Sequence, residues 1–150
     1  MATSDDASVR MLNPSEQLVL GMCRRLDMYV VGPKELRQLF ALLIGFESSG
    51  AGVFCGLREW LVVRLNGPNN RGWTGLAEDA ISNSAPAADE RARIAAIEAL
   101  LTEFFTYRHE VGHVKIFYDY AKWLLRQPWY AGPLREQKKR RKATKRRGRT

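Results

Sequence analysis

Residues 89–126, DERARIAAIEALLTEFFTYRHEVGHVKIFYDYAKWLLR, decide the fold of this chain. The stretch is rich in Ala, Glu, Arg and Leu, all good helix formers. Ile94, Ile97, Leu101, Phe104, Tyr107, Val111, Val114, Tyr118, Ala121 and Leu125 recur at alternating spacings of three and four, a heptad-like seam. Unbroken, that seam would run about 48 Å at about 1.5 Å per residue. Gly112 interrupts it at a cost of about 1 kcal/mol relative to Ala, so two helices meeting at a glycine are expected. Pro128 ends the pattern, and Trp129-Tyr130-Ala131-Gly132-Pro133 is expected to fold back before the C-terminal tail.

Upstream, the signals are also helical. Asn13-Pro14-Ser15-Glu16 reads as a helix start, with Asn13 as cap, Pro14 where its missing N–H costs nothing, and Glu16 bonding back to the cap. Leu18, Met22 and Leu26 give that helix an apolar face, widened by Val19 and Leu20. Pro33 is expected to open the next helix, in which Leu36, Leu39, Phe40, Leu43 and Ile44 repeat before Glu47–Gly52 ends it. Phe54, Leu57, Trp60, Leu61 and Leu65 mark a third helix, and a short fourth spans about Trp73 to Ser82. Between them, Asn66-Gly67-Pro68-Asn69-Asn70-Arg71-Gly72 is a loop: either a plain connector or a place where backbone groups can approach a ligand. The pieces predict an all-α, single compact domain of about five or six helices over residues 13–134, with a flexible N-terminus (1–12) and a disordered basic C-terminal tail (135–150).

The formal charge of +8 belongs to that tail. Residues 135–150 hold ten Lys or Arg against Glu136 alone, +9, which leaves −1 for the other 134 residues. Lys138, Lys139, Arg140, Arg141, Lys142, Lys145, Arg146, Arg147 and Arg149 have no apolar periodicity to bury and would attract phosphate backbones by counterion release. Nine of the fifteen aromatic residues lie between Phe104 and Tyr130, and Trp129 and Tyr130 adjoin the charge run, where the two uses open to them are stacking on unpaired bases and ordinary core packing. Cys23 and Cys55 are far apart in helical stretches and read as buried, reduced thiols rather than a disulfide framework. The longest apolar runs, such as Phe40–Ile44, fall short of the roughly 18–20 residues of a membrane span, and no basic-then-apolar leader opens the sequence, so a cytoplasmic protein without membrane contact is expected.

The only two histidines stand in His109-Glu110-Val111-Gly112-His113. Histidines at i and i+4 share a helix face and can hold one Zn²⁺, with the intervening glutamate as general base toward the bound water. Over these five positions the chain resembles the zincin metallopeptidases. The resemblance implies His109 and His113 as metal ligands, Glu110 as the catalytic base, and Asp119 as third ligand, where the metzincin pattern places one. Four features depart from that pattern: Ile116 replaces its turning glycine, Lys115 and Arg108 flank the pair, and no strands precede it. At about 100° per residue the histidines lie off the seam, on a second face with Phe105, Ile116, Tyr120 and Trp123. That face is either a second packing surface or a pocket lining. A Cys2His2 set with Cys23 and Cys55 would lack the usual C-x-x-C spacing.

Arg25-Leu26-Asp27-Met28-Tyr29, then Gly45-Phe46-Glu47, Trp60-Leu61 and Gly72-Trp73, is similar in spacing to a group of small bacterial proteins with an R-P-x-M-Y segment, Leu26 standing for the proline. That resemblance implies a bacterial protein and carries no activity with it. The reading is therefore a small intracellular binding or interaction module whose tail contacts nucleic acid or another polyanion, with no cofactor. One alternative is a zinc-dependent metallohydrolase using the histidine pair; another is an immunity or antitoxin-type partner protein.

Overall fold

The computed structural model describes residues 12–84 and 89–147. The chain is all-α: six helices, with no strand among the described residues. Helix α1 spans Pro14–Arg24, α2 Leu36–Phe46, α3 Leu57–Leu65, α4 Trp73–Ser84, α5 Glu90–Arg126 and α6 Pro128–Arg147. The start expected at residues 1–12 falls outside the described residues except for Leu12, which is buried; the connector after Ser84 and the tail's Arg149 fall outside them too.

Local chemistry sets the helix starts. Asn13 closes a full capping box on α1: its side chain accepts from the Glu16 N–H at 3.0 Å, and the Glu16 carboxylate accepts from the Asn13 N–H at 2.8 Å. Helix α2 begins at Leu36 rather than at Pro33, because Glu35 takes the cap position and exchanges bonds with Gln38. It closes with a π-type turn over Glu47–Ala51. Asp89 caps α5 by accepting from the Ala92 N–H at 2.7 Å.

Helix α5 is the organising element and packs against α1, α2, α3, α4 and α6. Its core face carries Ile94, Ile97, Leu100, Leu101, Phe104 and Phe105, and α1 contributes Val19, Leu20 and Met22. Leu18 and Ile44, expected inside, are exposed, since the faces of α1 and α2 that meet α5 are centred on Val19 and Leu20 and on Leu36, Leu39 and Leu43.

The break at Gly112 is present, with φ 77° and ψ 162°, a combination essentially reserved to glycine. It re-phases the helix. Counted as if unbroken, with Phe104 at zero, the buried side chains before Gly112 centre near about 40° and those after it near about 110°. Val114, Tyr118 and Leu125, expected in the core seam, therefore lie at the surface, while Ile116 and Trp123 are buried. Ile116 docks on the turn before α3, where a Cβ added to Gly56 (φ 85°) would sit 3.3 Å from its Cγ2. Gly112→Ala should therefore destabilise the fold by about 1–3 kcal/mol, the cost of holding a side chain in that backbone region. A urea midpoint unchanged by the substitution would mean that the break is not required.

Trp129–Pro133, expected to fold back before the tail, is helical. Gln127 is extended (φ −77°, ψ 125°), as a residue before proline should be, and Pro128 then opens α6 at a position where its missing N–H has no partner to lose. The basic segment lies outside the packed domain: the described side chains at 135–139 and 141 are all exposed. Its backbone continues α6 through Arg147. Lys, Arg, Gln and Glu permit helix there, but an unsupported helix of this length carrying like charges is marginal in water.

Candidate functional site

The histidine stretch sits against the start of α1. Glu16, placed by the capping box, is fully buried, and its carboxylate accepts from Arg108 on one oxygen and from the His109 ring at 2.7 Å and the Asn13 N–H at 2.8 Å on the other. Arg108, 6% exposed, also donates to the carbonyls of Val53 at 2.6 Å and Cys55 at 3.2 Å. Its guanidinium lies 5.0 Å and 5.3 Å from the ring centres of Phe104 and Phe105. Burial alone would push the Glu16 carboxyl up, but the bonds from His109, Arg108 and Asn13 and the nearby His109 charge outweigh it and hold the group below its ordinary value of 4.5. The cluster ties α1, the turn at residues 53–56 and α5 together, and every buried polar side-chain atom described has a partner.

His113 shares a cleft of about 550 Å³ with His109, Arg108 and Glu16. Glu110 is exposed and does not line it. Asp119 is engaged by Lys115, whose ammonium that bond pushes up, and lines a different cleft beside Trp123. Cys23 is buried among residues on another side of α1, where burial and the Glu98 carboxylate push its thiol up to about 12. Cys55, expected to be buried, is exposed because it falls in the turn before α3 rather than inside a helix. Among the described residues no three His, Cys, Asp or Glu side chains converge closely enough to hold a metal ion. The histidines are thus brought together, but the third ligand and the base that the zincin likeness implies are not brought to them. Arg108, set aside in the sequence as a flanking charge, is the residue that organises this cluster. The signal for it was its position on the same helical face as Leu101, Phe104 and Phe105.

A second constellation joins the 66–72 loop to the end of α5. Asn66 (φ 46°) turns the chain out of α3, and its side-chain oxygen accepts from the Trp123 indole N–H at 2.8 Å. Asn69 accepts from the Tyr120 hydroxyl and from Arg58, the latter at 3.0 Å, and Arg58 also donates to the carbonyls of Asn69 and Arg71. The loop is therefore braced by two aromatic side chains of α5 and one arginine of α3. Trp123 and Trp129 meet edge to face at 6.3 Å, and Trp129 meets Tyr130 at 6.0 Å. Trp129 is 55% exposed. From there α6 leads directly into the cationic run, of which Lys138, Lys139 and Arg141 are exposed, while Arg140, Lys142, Lys145, Arg146 and Arg147 continue the helical backbone.

No helix among the described residues is long and apolar enough to cross a membrane. No protein-family model, curated protein or solved structure matches the chain.

Proposed function

We propose that this chain is a helical binding module whose basic C-terminal segment engages nucleic acid through its phosphates. The observation that carries the reading is the segregation of charge. The domain sums to about neutral while residues 135–150 hold +9, and the described side chains of that segment are exposed. The charged part of α6, beyond its aromatic start, offers no apolar face to the core, and binding a polyanion would supply its order. The two free thiols, Cys23 and Cys55, fit a reducing, cytoplasmic setting.

The test compares the full chain with one ending at residue 134, using labelled DNA or RNA across a salt series. The full chain should show log K falling linearly with log salt by about 0.7–0.9 per phosphate engaged, so that about six or more contacts weaken binding roughly a thousandfold between about 50 and 200 mM salt. The shortened chain should bind at least that much more weakly at low salt. Equal binding by the two chains would place the contact on the domain and overturn the proposal.

A partner protein is the second reading. It is favoured by the apolar row that the Gly112 break leaves outside, in which Val114, Phe117, Tyr118 and Leu125 are each at least 43% exposed.

A further inference from the structure

Between the 66–70 loop and the junction of α5 with α6 lies a cleft of about 420 Å³, lined by the loop's asparagines with Trp123, Gln127 and Trp129. Its size falls in the range of small-molecule sites. Its chemistry is specific: aromatic faces and side-chain amides, with no charged residue in the wall. The indole N–H is donor only, so the bond from Trp123 identifies the bonded end of Asn66 as its oxygen and leaves the Asn66 NH₂ without a partner among the described residues. Arg58 likewise only donates, which fixes the Asn69 oxygen toward Arg58 and Tyr120 and leaves the Asn69 NH₂ without a partner among the described residues. Gln127 donates its NH₂ to the Trp123 carbonyl at 3.2 Å and keeps its oxygen. Two amide donors and one amide acceptor are thus held by their own bonds around a cleft with an exposed indole at its edge. Such a set suits a flat heterocycle whose rim alternates donors and acceptors and whose faces stack.

The neighbouring cleft shares Asn66, Trp123 and Gln127 and adds Lys122 and Arg126, two cations beside the heterocycle, with Asp119, which Lys115 engages, as the one carboxylate in its wall. Along α6, Trp129 and Lys138 are about 14 Å apart at about 1.5 Å per residue, within reach of one short strand. We infer that this cleft is a subsite for one unpaired nucleobase, stacked on Trp129 and read at its edge by Asn66, Asn69 and Gln127, in a single strand whose phosphates the basic segment holds. The inference rests on the nucleic-acid reading above and adds to it a preference for unpaired bases.

The experiment measures binding of the full chain to a labelled oligodeoxyuridylate and to an abasic deoxyribose-phosphate strand of equal length and charge, with an oligouridylate alongside to compare ribose with deoxyribose. The base-bearing strands should bind about 5- to 150-fold tighter than the abasic one, the worth of about one stacked base, and should quench tryptophan emission. Trp129→Ala should remove that preference while leaving the salt dependence of abasic binding as it was, and Trp129→Phe should restore most of it. Trp129 is exposed, so the alanine variant is expected to fold. Equal affinity for base-bearing and abasic strands, or a preference that survives Trp129→Ala, overturns the subsite and leaves the phosphate reading standing. Failure of the full chain to bind either strand at low salt overturns the phosphate reading itself, and the subsite with it.

Discussion

Glu16→Gln is expected to lower folding stability by about 3–5 kcal/mol, read as a shift of the urea midpoint at neutral pH. Gln is nearly the same size but has a single amide oxygen, so it can still accept from Arg108 or from Asn13, which meet different carboxylate oxygens, and not from both; a lost bond alone would cost only about 1 kcal/mol. The larger figure comes from charge. Arg108 is 6% exposed, cannot shed its proton and has Glu16 as its only carboxylate partner among the described residues; without it, a buried cation remains with two carbonyls and two aromatic faces. Replacing both members together, Glu16→Leu with Arg108→Met, should cost much less than either single change, because no uncompensated charge is then left inside. A single-variant loss of only about 1 kcal/mol would mean that water reaches Arg108 and the pair is not desolvated. The acid side offers an independent check. Glu16 is held below its ordinary value of 4.5, so the stability it adds is fully present above about that pH and is lost as pH falls through its lower folded-state value. The wild-type chain should therefore lose more stability than Glu16→Gln on acidification through and below that region.

The same cluster shows how far residues alone could be read. The Asn13-Pro14-Ser15-Glu16 start was legible because a capping box is a local device, complete within four residues. The burial of its glutamate was not, since Arg108 and His109 are more than ninety positions away and only tertiary packing brings them together. Helix α5 was legible as a helix and its break at Gly112 as a break. The orientation after the break was not, because periodicity fixes a face only while the backbone keeps its phase. Val114 and Tyr118 carry the seam's spacing and end in solvent, whereas Ile116 and Trp123, on what counted as the second face, end in the core. The candidate site divides along the same line. The cationic run and the aromatic residues before it could be read from composition, but the bracing of the Asn66–Asn70 loop by Tyr120, Trp123 and Arg58 depends on that re-phasing.

Trp73→Ala is expected to cost a similar amount, about 3–5 kcal/mol, for a different reason. Trp73 begins α4 and is 9% exposed, stacked on Phe54 at 4.8 Å and set edge-on to Phe40 at 5.8 Å. Its indole N–H donates to Glu47 at 3.1 Å, so one side chain joins the end of α2, the turn before α3 and the start of α4. Gly45-Phe46-Glu47 and Gly72-Trp73, the segments behind the sequence likeness to small bacterial proteins, thus meet through this bond and act in packing. Truncation removes the largest ring in that corner and leaves a cavity, whereas Trp73→Phe keeps a ring and frees a half-buried Glu47 to turn toward water. The phenylalanine variant should therefore lose no more than about 1.5 kcal/mol, a gap between the two variants that denaturant midpoints resolve. If alanine and phenylalanine proved equally mild, the corner would be collapsing around the gap and the ring would not be holding three elements together. Trp73 follows the loop but does not line its cleft and is not part of α6, so below their midpoints both variants should bind nucleic acid as the wild-type chain does. A stability loss with binding intact would distinguish residues that build the domain from those through which it acts.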